Sequence, residues 1–417
     1  MVQRDHVPDE IVDIERWIQD EYTYENALPT SLFGDATTIE RRTDIAISSS
    51  FGTSSVRDEI LTSGSGEVTK DPASTGEIEL STGTTANSEI DLRTASYGRY
   101  VPGFSAQAGI GVRFESLPTE GEVTWGYFDE DNGFYWGYDG DAEELFVALL
   151  SNGSETRIYQ GKFNGDDFEK TFGHPVDLTR GHIFQIDFTW YGYGIVNFQI
   201  VSQTESKGDN WNPEQETMTM HSIAVQSTTS IADPNQPIRI AAKNGSSGED
   251  VRVRLGGRQF SVFGGESDKK RVTSETSEDV SITNGVWTHV MSWQRRDDVG
   301  DKNATLTISG VDFGTDVGIR LAFLKGASIS ATNFRTPSLT DSSETLVDVS
   351  TDGSYDGIGG GTKLWEGSIK VEQGETNKGI NSIQQIPFGQ METISLIVKG
   401  LSGNGSGLAT VRINEDW

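Results

Sequence analysis

Cysteine is absent from this 417-residue chain, which excludes disulfides, thiolate zinc sites and thiol nucleophiles together. Basic residues are scarce: 33 Lys and Arg stand against 63 Asp and Glu, for a net charge of −30. With no basic stripe to neutralise phosphates, nucleic acid is not expected as a partner. No apolar run reaches the length of a membrane-spanning helix, and the first residues, MVQRDHVPDEIVDIERW, lack the apolar core of a signal peptide. The five histidines (His6, His174, His182, His221 and His289) form no His-Glu-x-x-His and no metal-ligand spacing. There is no Gly-x-Ser-x-Gly elbow. Gly357–Gly361 precedes Thr362-Lys363 without the spacing of a phosphate-binding loop. The compact Glu-x-Asp-x-x-Glu strand motif of sandwich glycosidases is missing too. The chain is therefore expected to be non-enzymatic and to need no cofactor, with a structural divalent cation as the one exception to test.

The acids that are present spread along the whole chain. A single block of them would suggest a disordered arm. Dispersed, they suggest a solvated surface that repels itself at ordinary ionic strength. At molar salt, where the Debye length falls to about 3 Å, that repulsion fades, so adaptation to high salt is the sharper reading. The 48 glycines and 34% hydrophobic content fit short strands, many turns and modest cores.

The pattern predicts an all-β protein: a jelly-roll-like β-sandwich plus a C-terminal β-sandwich, with one short N-terminal helix. Residues 1–30 read as an anchoring helix. Pro8-Asp9-Glu10 suits a first turn, and Ile11, Ile14, Ile18 and Tyr22 recur at helical spacing with Trp17 beside them. This apolar stripe is a candidate assembly contact, on its own domain or on a neighbouring subunit. Residues 31–95 read as a connector or small β element. Residues 96–265 carry alternating runs about every ten residues, separated by Asp131-Asn132-Gly133, Asp139-Gly140, Asn152-Gly153 and Asn164-Gly165. These are hairpin turns of a sandwich. Residues 266–417 read as a second sandwich.

Three groups could carry function. Asp129, Asp131, Asp139 and Asp141, with Glu130 among them, cluster around one expected hairpin and are candidate ligands for Ca²⁺, which takes six to eight oxygens. The spacing is not that of an EF-hand, and solvated turns are the bland alternative. Trp125, Phe134, Tyr135, Trp136 and Tyr138 put aromatics on both faces of a strand. They could line a subunit contact or a host-surface contact that stacks on sugars, or could simply fill a core. Asn152, Asn244, Asn303 and Asn404 stand in Asn-x-Ser/Thr sequons, which would permit glycosylation.

Residues 126–200 also carry a resemblance. Gly126-Tyr127-Phe128-Asp129-Glu130-Asp131-Asn132-Gly133 leads to Tyr138-Asp139-Gly140, then Asn164-Gly165-Asp166, Asp177-Leu178-Thr179, and Asp187-Phe188-Thr189-Trp190-Tyr191-Gly192-Tyr193-Gly194. Pro237-Ile238-Arg239 and Ser261–Gly265 follow, and Val411–Trp417 matches more weakly. This order resembles a domain of structural proteins from tailed phages, with Gly-x-Phe-Asp-x-x-Asn-Gly, Asp-Leu-Thr-Lys and Asp-Phe-x-Trp-Leu-Gly-x-Gly motifs. It covers residues 95–265 well, 365–417 weakly and 1–90 not at all. Tyr191 stands where Leu is usual and Arg180 where Lys is, and the acid load is far higher. The resemblance implies a virion protein of a tailed virus infecting a halophilic archaeon, assembled in the host cytoplasm and exposed on the particle. It would be a homo-oligomer, with other virion structural proteins and a host-surface glycan or glycoprotein as partners. Tail, baseplate or fibre is the first expected location and a capsid turret or decoration protein the second. A tail-associated glycan hydrolase is a distant third.

Overall fold

The structure, a computed structural model, describes residues 41–69, 75–172, 174–203, 215–224, 230–264, 271–296, 305–330, 332–338, 345–355, 360–370, 377–380, 386–388 and 393–416. The expected helix with Ile11, Ile14, Trp17, Ile18 and Tyr22 lies outside the described residues, as do His6 and Asn303.

Fifteen strands build the first sandwich among the described residues: β1 (Arg41–Ser48), β2 (Asp58–Ser63), β3 (Glu67–Thr69), β4 (Ile78–Ser81), β5 (Glu89–Thr94), β6 (Ser105–Phe114), β7 (Glu122–Phe128), β8 (Gly133–Asp139), β9 (Glu144–Ser151), β10 (Ser154–Tyr159), β11 (His182–Phe188), β12 (Ile195–Gln203), β13 (Gln215–Ala224), β14 (Ile238–Lys243) and β15 (Arg252–Phe263). They form an eight-stranded sheet, β13-β12-β11-β6-β15-β4-β3 with β1 also on β15, and a seven-stranded sheet, β10-β9-β8-β7-β14-β5-β2. All their pairings are antiparallel. The expected jelly-roll-like sandwich is present, but it starts earlier than residue 96. β1, β3 and β4 belong to the eight-stranded sheet and β2 and β5 to the seven-stranded one, so the stretch expected to be a connector or small β element is part of the sandwich. Its strands are short and hold only a few apolar residues each. Ile78, Leu80, Ile90 and Leu92 are fully buried because β15 and β14, more than 140 residues away in sequence, pair beside them.

Period-two alternation decides the interior. From β7, Val123, Trp125 and Tyr127 point inward, and from β8 come Phe134, Trp136 and Tyr138; all belong to the inter-sheet core. Trp136 meets Phe163, Phe184 and Phe198 edge-on at centroid distances of 6.1, 5.3 and 5.6 Å, the geometry that ring quadrupoles favour. This corrects the expectation of a host-surface or subunit contact. Trp125, Phe134 and Trp136 are wholly buried and Tyr138 nearly so. Tyr135, facing the other way, is buried as well, in a small cluster with Phe128, Phe146, Ala148 and Leu150.

Two inward positions are charged. In β15 the register slips between Leu255 and Arg258, a bulge that sets Gly256 and Gly257 against Gly111 of β6. Arg258 then turns into the core and pairs with Asp58 of β2, both side chains having no solvent exposure. This ion pair joins the two sheets.

The second sandwich holds β16 (Arg271–Thr276), β17 (Val280–Ile282), β18 (Thr288–Arg295), β19 (Thr305–Thr315), β20 (Ile319–Lys325), β21 (Val347–Ser350), β22 (Thr362–Ile369), β23 (Asn377–Ile380), β24 (Ile386–Phe388), β25 (Thr393–Gly400) and β26 (Gly405–Asp416). One sheet runs β16-β26-β19-β23, with β17 on β26 and β24 on β19; the other runs β21-β18-β25-β20-β22. Its core is largely aliphatic, with Trp293, Phe313 and Phe323 among Ile, Leu and Val. The buried Glu415 accepts from Thr345 Oγ1 and the Leu346 N–H, each at 2.7 Å, so its carboxylate is well supplied with donors.

Candidate functional site

The alternation that buries the aromatics of β7 and β8 puts polar residues on the outer face of the seven-stranded sheet. Glu122 and Thr124 of β7, Asp91 of β5, Arg239 and Lys243 of β14 and Leu61 and Ser63 of β2 line a hollow of about 440 Å³ there, with Glu130 at its rim. Two arginines organise this face. Arg239 pairs with Asp91 at 2.7 Å and lies 3.7 Å from Glu130, with its guanidinium 4.9 Å from the centre of the Phe128 ring. Arg157 of β10 reaches Glu122 at 2.6 Å, Glu155 at 2.9 Å and Asp139 at 3.4 Å, and stacks 3.8 Å above Phe146. Arg93 bridges Glu59 and Glu130 at 2.9 and 2.8 Å. Rows of carboxylates facing one way would repel; the guanidiniums between them offset that.

Burial pushes the Asp91 carboxyl up even with Arg239 beside it. Glu122 is likewise raised by burial against the pull of Arg157. Asp139 goes the other way: burial opposes it, but the Tyr159 hydroxyl, the Ala142 N–H and Arg157 together hold it low. Asp91 Oδ1 and Arg239 Nε are buried atoms without a hydrogen-bond partner in the described fold.

The four candidate metal ligands do not converge. Asp129 and Asp131 stand at the turn between β7 and β8, whereas Asp139 and Asp141 stand at the turn between β8 and β9. These are opposite ends of a seven-residue strand, about 20 Å apart at 3.3 Å per residue. One ion cannot bridge them. Asp129 instead accepts from the Asp131 and Asn132 N–H groups at 2.8 and 2.7 Å, and Asp139 from those of Asp141 and Ala142 at 3.0 and 3.1 Å. Both are turn caps. Among the described residues no group of three or more His, Cys, Asp or Glu side chains could hold a metal ion.

Other candidates resolve into structure. Asn244 is buried and bonds the Ser88 N–H and the Gly83 and Thr85 carbonyls, so its amide is not available for a glycan. His182 Nε2 lies 2.9 Å from the Asp177 carbonyl, and His289 Nε2 lies 2.9 Å from Ser292 Oγ. The residues that carry the phage-protein resemblance do folding work. Asn132 Oδ1 accepts from the Asn152 and Ala232 N–H groups. Trp190 Nε1 donates to the Ile231 carbonyl at 3.0 Å. A side chain at Gly194 would collide with the Thr189 carbonyl.

Asp91, Glu122 and Arg157 were not among the site residues expected from sequence. The signal was there in part: Glu89-Ile90-Asp91-Leu92-Arg93 alternates strictly, and Arg239 lies in the Pro-Ile-Arg element of the resemblance.

No family model matches the chain, and no curated protein matches it. Solved structures similar to it include a glycosyl hydrolase family 16 protein from Mycobacterium smegmatis, at 9% identity and a TM-score of 0.35, covering 52% of this chain and 99% of that one. A legume lectin-like domain from Entamoeba histolytica matches at 11% and 0.30, over 49% and 89%. Peanut lectin matches at 13% and 0.31, over 54% and 97%. At these TM-scores the likenesses carry no argument about this chain, and its sandwich fold rests on the strand pairings above. Among the described residues no helix is long and apolar enough to cross a membrane.

Proposed function

We propose that this chain is a non-enzymatic structural protein of the virion of a tailed virus that infects a halophilic archaeon. In this reading it sits at the tail, baseplate or fibre and contacts a host-surface glycan through the outer face of the seven-stranded sheet. The hollow at Asp91 and Arg239 carries the contact. The exposed carboxylates of Glu89 and Glu130 and the exposed ammonium of Lys243 that line it suit sugar hydroxyls, which both donate and accept. A glycosidase would need one carboxyl poised as acid and a second poised as base or nucleophile across the scissile bond. The paired state of Glu122, Glu155 and Asp139 around Arg157 favours binding over cleavage. The virion assignment rests on the sequence resemblance, and the net charge of −30 supports a salt-rich setting.

Binding to host-envelope glycans, measured at molar salt for the intact chain and for Asp91→Asn, tests the contact. Binding that weakens at least tenfold in the variant is expected; equal binding, or none by either, overturns the site. Gold-tagged antibody against residues 270–417 on purified virions tests location. Label at the tail end is expected, and label over the shell would replace this reading with the turret or decoration protein.

A further inference from the structure

The outer face of the eight-stranded sheet carries rows of neutral polar side chains. Its register sets Thr43 of β1, Ser261 of β15, Gln107 of β6, Asp187 of β11, Asn197 of β12 and Ser222 of β13 opposite one another, in a row that crosses the sheet. The next row on the same face is Ala46, Gln259, Gly109, Gln185, Gln199 and Thr219. These positions face outward because their neighbours along the strands, among them Ala108, Ile186, Phe198 and Phe260, belong to the inter-sheet core. Amides and hydroxyls dominate both rows, and Asp187 is the only charged residue in them. The seven-stranded face is built otherwise. Its register sets Glu59 against Arg93 and Arg93 against Arg239, and Glu89 against Lys243 and Lys243 against Glu122.

The neutral side chains are tied to one another. Thr43 Oγ1 lies 3.1 Å from Ser261 Oγ, Ser261 donates to Gln259 Oε1 at 2.7 Å, and the Gln259 amide donates to Gln107 Oε1 at 3.2 Å. Ser222 donates to Asn197 Oδ1 at 2.7 Å, and the Gln199 amide to Thr219 Oγ1 at 3.3 Å. A primary amide offers two donors and two acceptor lone pairs, so these bonds fix the head groups and leave hydrogen-bonding capacity over. Gln185, Asn197, Gln199 and Gln259 are all half-buried, not covered. Beside them Gly109, Gly111, Gly256 and Gly257 floor a trough of about 660 Å³, edged by Gln185, Gln259 and Ile183. Ile183 is 40% exposed. Glycine in a strand interior marks places where a ligand approaches closely, and a Cβ at Gly256 would find nothing nearer than the Gly111 carbonyl, at 3.9 Å.

We propose that this face is a second carbohydrate site, separate from the hollow at Asp91 and Arg239, and that it takes an extended neutral glycan laid across the strands. Amides and hydroxyls present donors and acceptors together, which matches sugar hydroxyls, since these are both. Neither row contains a basic side chain, so an anionic chain finds no counter-charge in them. Ile183 offers an apolar surface to the C–H face of a sugar ring, and head groups already held by their neighbours lose little freedom on binding. Strands about 4.8 Å apart repeat these groups at close to the rise per residue of an extended hexose chain, so successive sugars meet successive strands.

Titration calorimetry of the full chain at molar salt, with cellohexaose and mannohexaose as probes, tests the site. Binding of at least one is expected. It is expected to weaken at least tenfold in Gln185→Ala and in Gly256→Trp, which fills the trough, and to stay unchanged in Asp91→Asn. Thermal unfolding of the two weakened variants is expected to match the parent, which separates loss of the face from loss of the fold. Binding of neither hexasaccharide overturns the proposal, and so does equal binding by the parent and both variants. Loss in Asp91→Asn alone would move the chain to the seven-stranded face, overturning this site and leaving that one standing. Hexagalacturonate bound as tightly as the neutral probes would overturn the neutral ligand. A dimer in analytical ultracentrifugation that Gly256→Trp dissociates would give the face to a second copy and overturn the proposal as well.

Discussion

The two outer faces of the first sandwich share a core and differ in nearly everything else. On the seven-stranded face, carboxylates and guanidiniums interlock over Phe128 and Phe146. On the eight-stranded face, glycines and isoleucines floor a trough beside a polar row in which Arg41 donates to Gln107 at 2.6 Å and Gln259 to Gln107 at 3.2 Å. The first face satisfies most of its charges internally. The second leaves an open trough. Both arise from one alternation, because the residues facing inward are apolar for the most part on either sheet, the Asp58–Arg258 pair apart, and the outward ones are free to differ.

Breaking the link between the sheets is expected to have the largest effect. Asp58→Ala strands the Arg258 guanidinium inside and is expected to cost about 3–5 kcal/mol, whereas Asp58→Leu with Arg258→Met is expected to be close to neutral. Urea unfolding of both variants checks this, and equal losses would mean that the pair does more than cancel its own burial. The inner and outer aromatics of one strand come next. Trp136→Ala empties the inter-sheet core and is expected to cost about 3–5 kcal/mol. Tyr135→Ala, from the small outer cluster, is expected to cost less, and a reversed order by thermal unfolding would place the main core on the wrong side of β8.

The faces are also expected to differ in how they respond to pH. Burial raises the Asp187 carboxyl on the eight-stranded face to about 6, with the Gln107 hydrogen bond and Arg41 pulling against it. Its unfolded value is lower, so the folded state holds the proton more tightly and stability is lost as pH rises from about 4 through 6. Asp187→Asn removes that loss. It is expected to raise stability at pH 8 by up to about 3 kcal/mol, with no gain below pH 4. Asp139 on the other face is held low, so its contribution is lost as pH falls through the acid range, and Asp139→Asn is expected to hurt at pH 7 and not at pH 2. The smallest contrast lies in the glycines. A Cβ at Gly137 would stand 2.1 Å from the Phe146 ring, so Gly137→Ala is expected to cost about 1–3 kcal/mol. Gly256→Ala is expected to stay within about 0.5 kcal/mol. Equal costs would remove the distinction between a packed face and an open one.

Much of the first sandwich was legible. Runs such as Phe134-Tyr135-Trp136-Gly137-Tyr138, bounded by Asn-Gly and Asp-Gly turns, read as strands and are strands. β13 was not legible: Gln215–Ala224 is mostly polar and buries mainly Met218 and Met220. The short strands before residue 95 were legible as alternation but not as members of this sandwich. The acid cluster misled because neighbours in sequence, Asp131 and Asp139, are separated by the full length of a strand.

By itself the sequence determined the class: alternating apolar runs, explicit turns and a dispersed acidic surface leave an all-β protein with no disulfide. Those properties are local, set by side-chain period, backbone preference and charge. Which face of each strand turned inward, which distant strands became neighbours and where Arg258 found Asp58 were decided only in the tertiary structure. Pairing across 140 to 200 residues depends on the whole set of sheets closing over one core, and no local pattern carries that information.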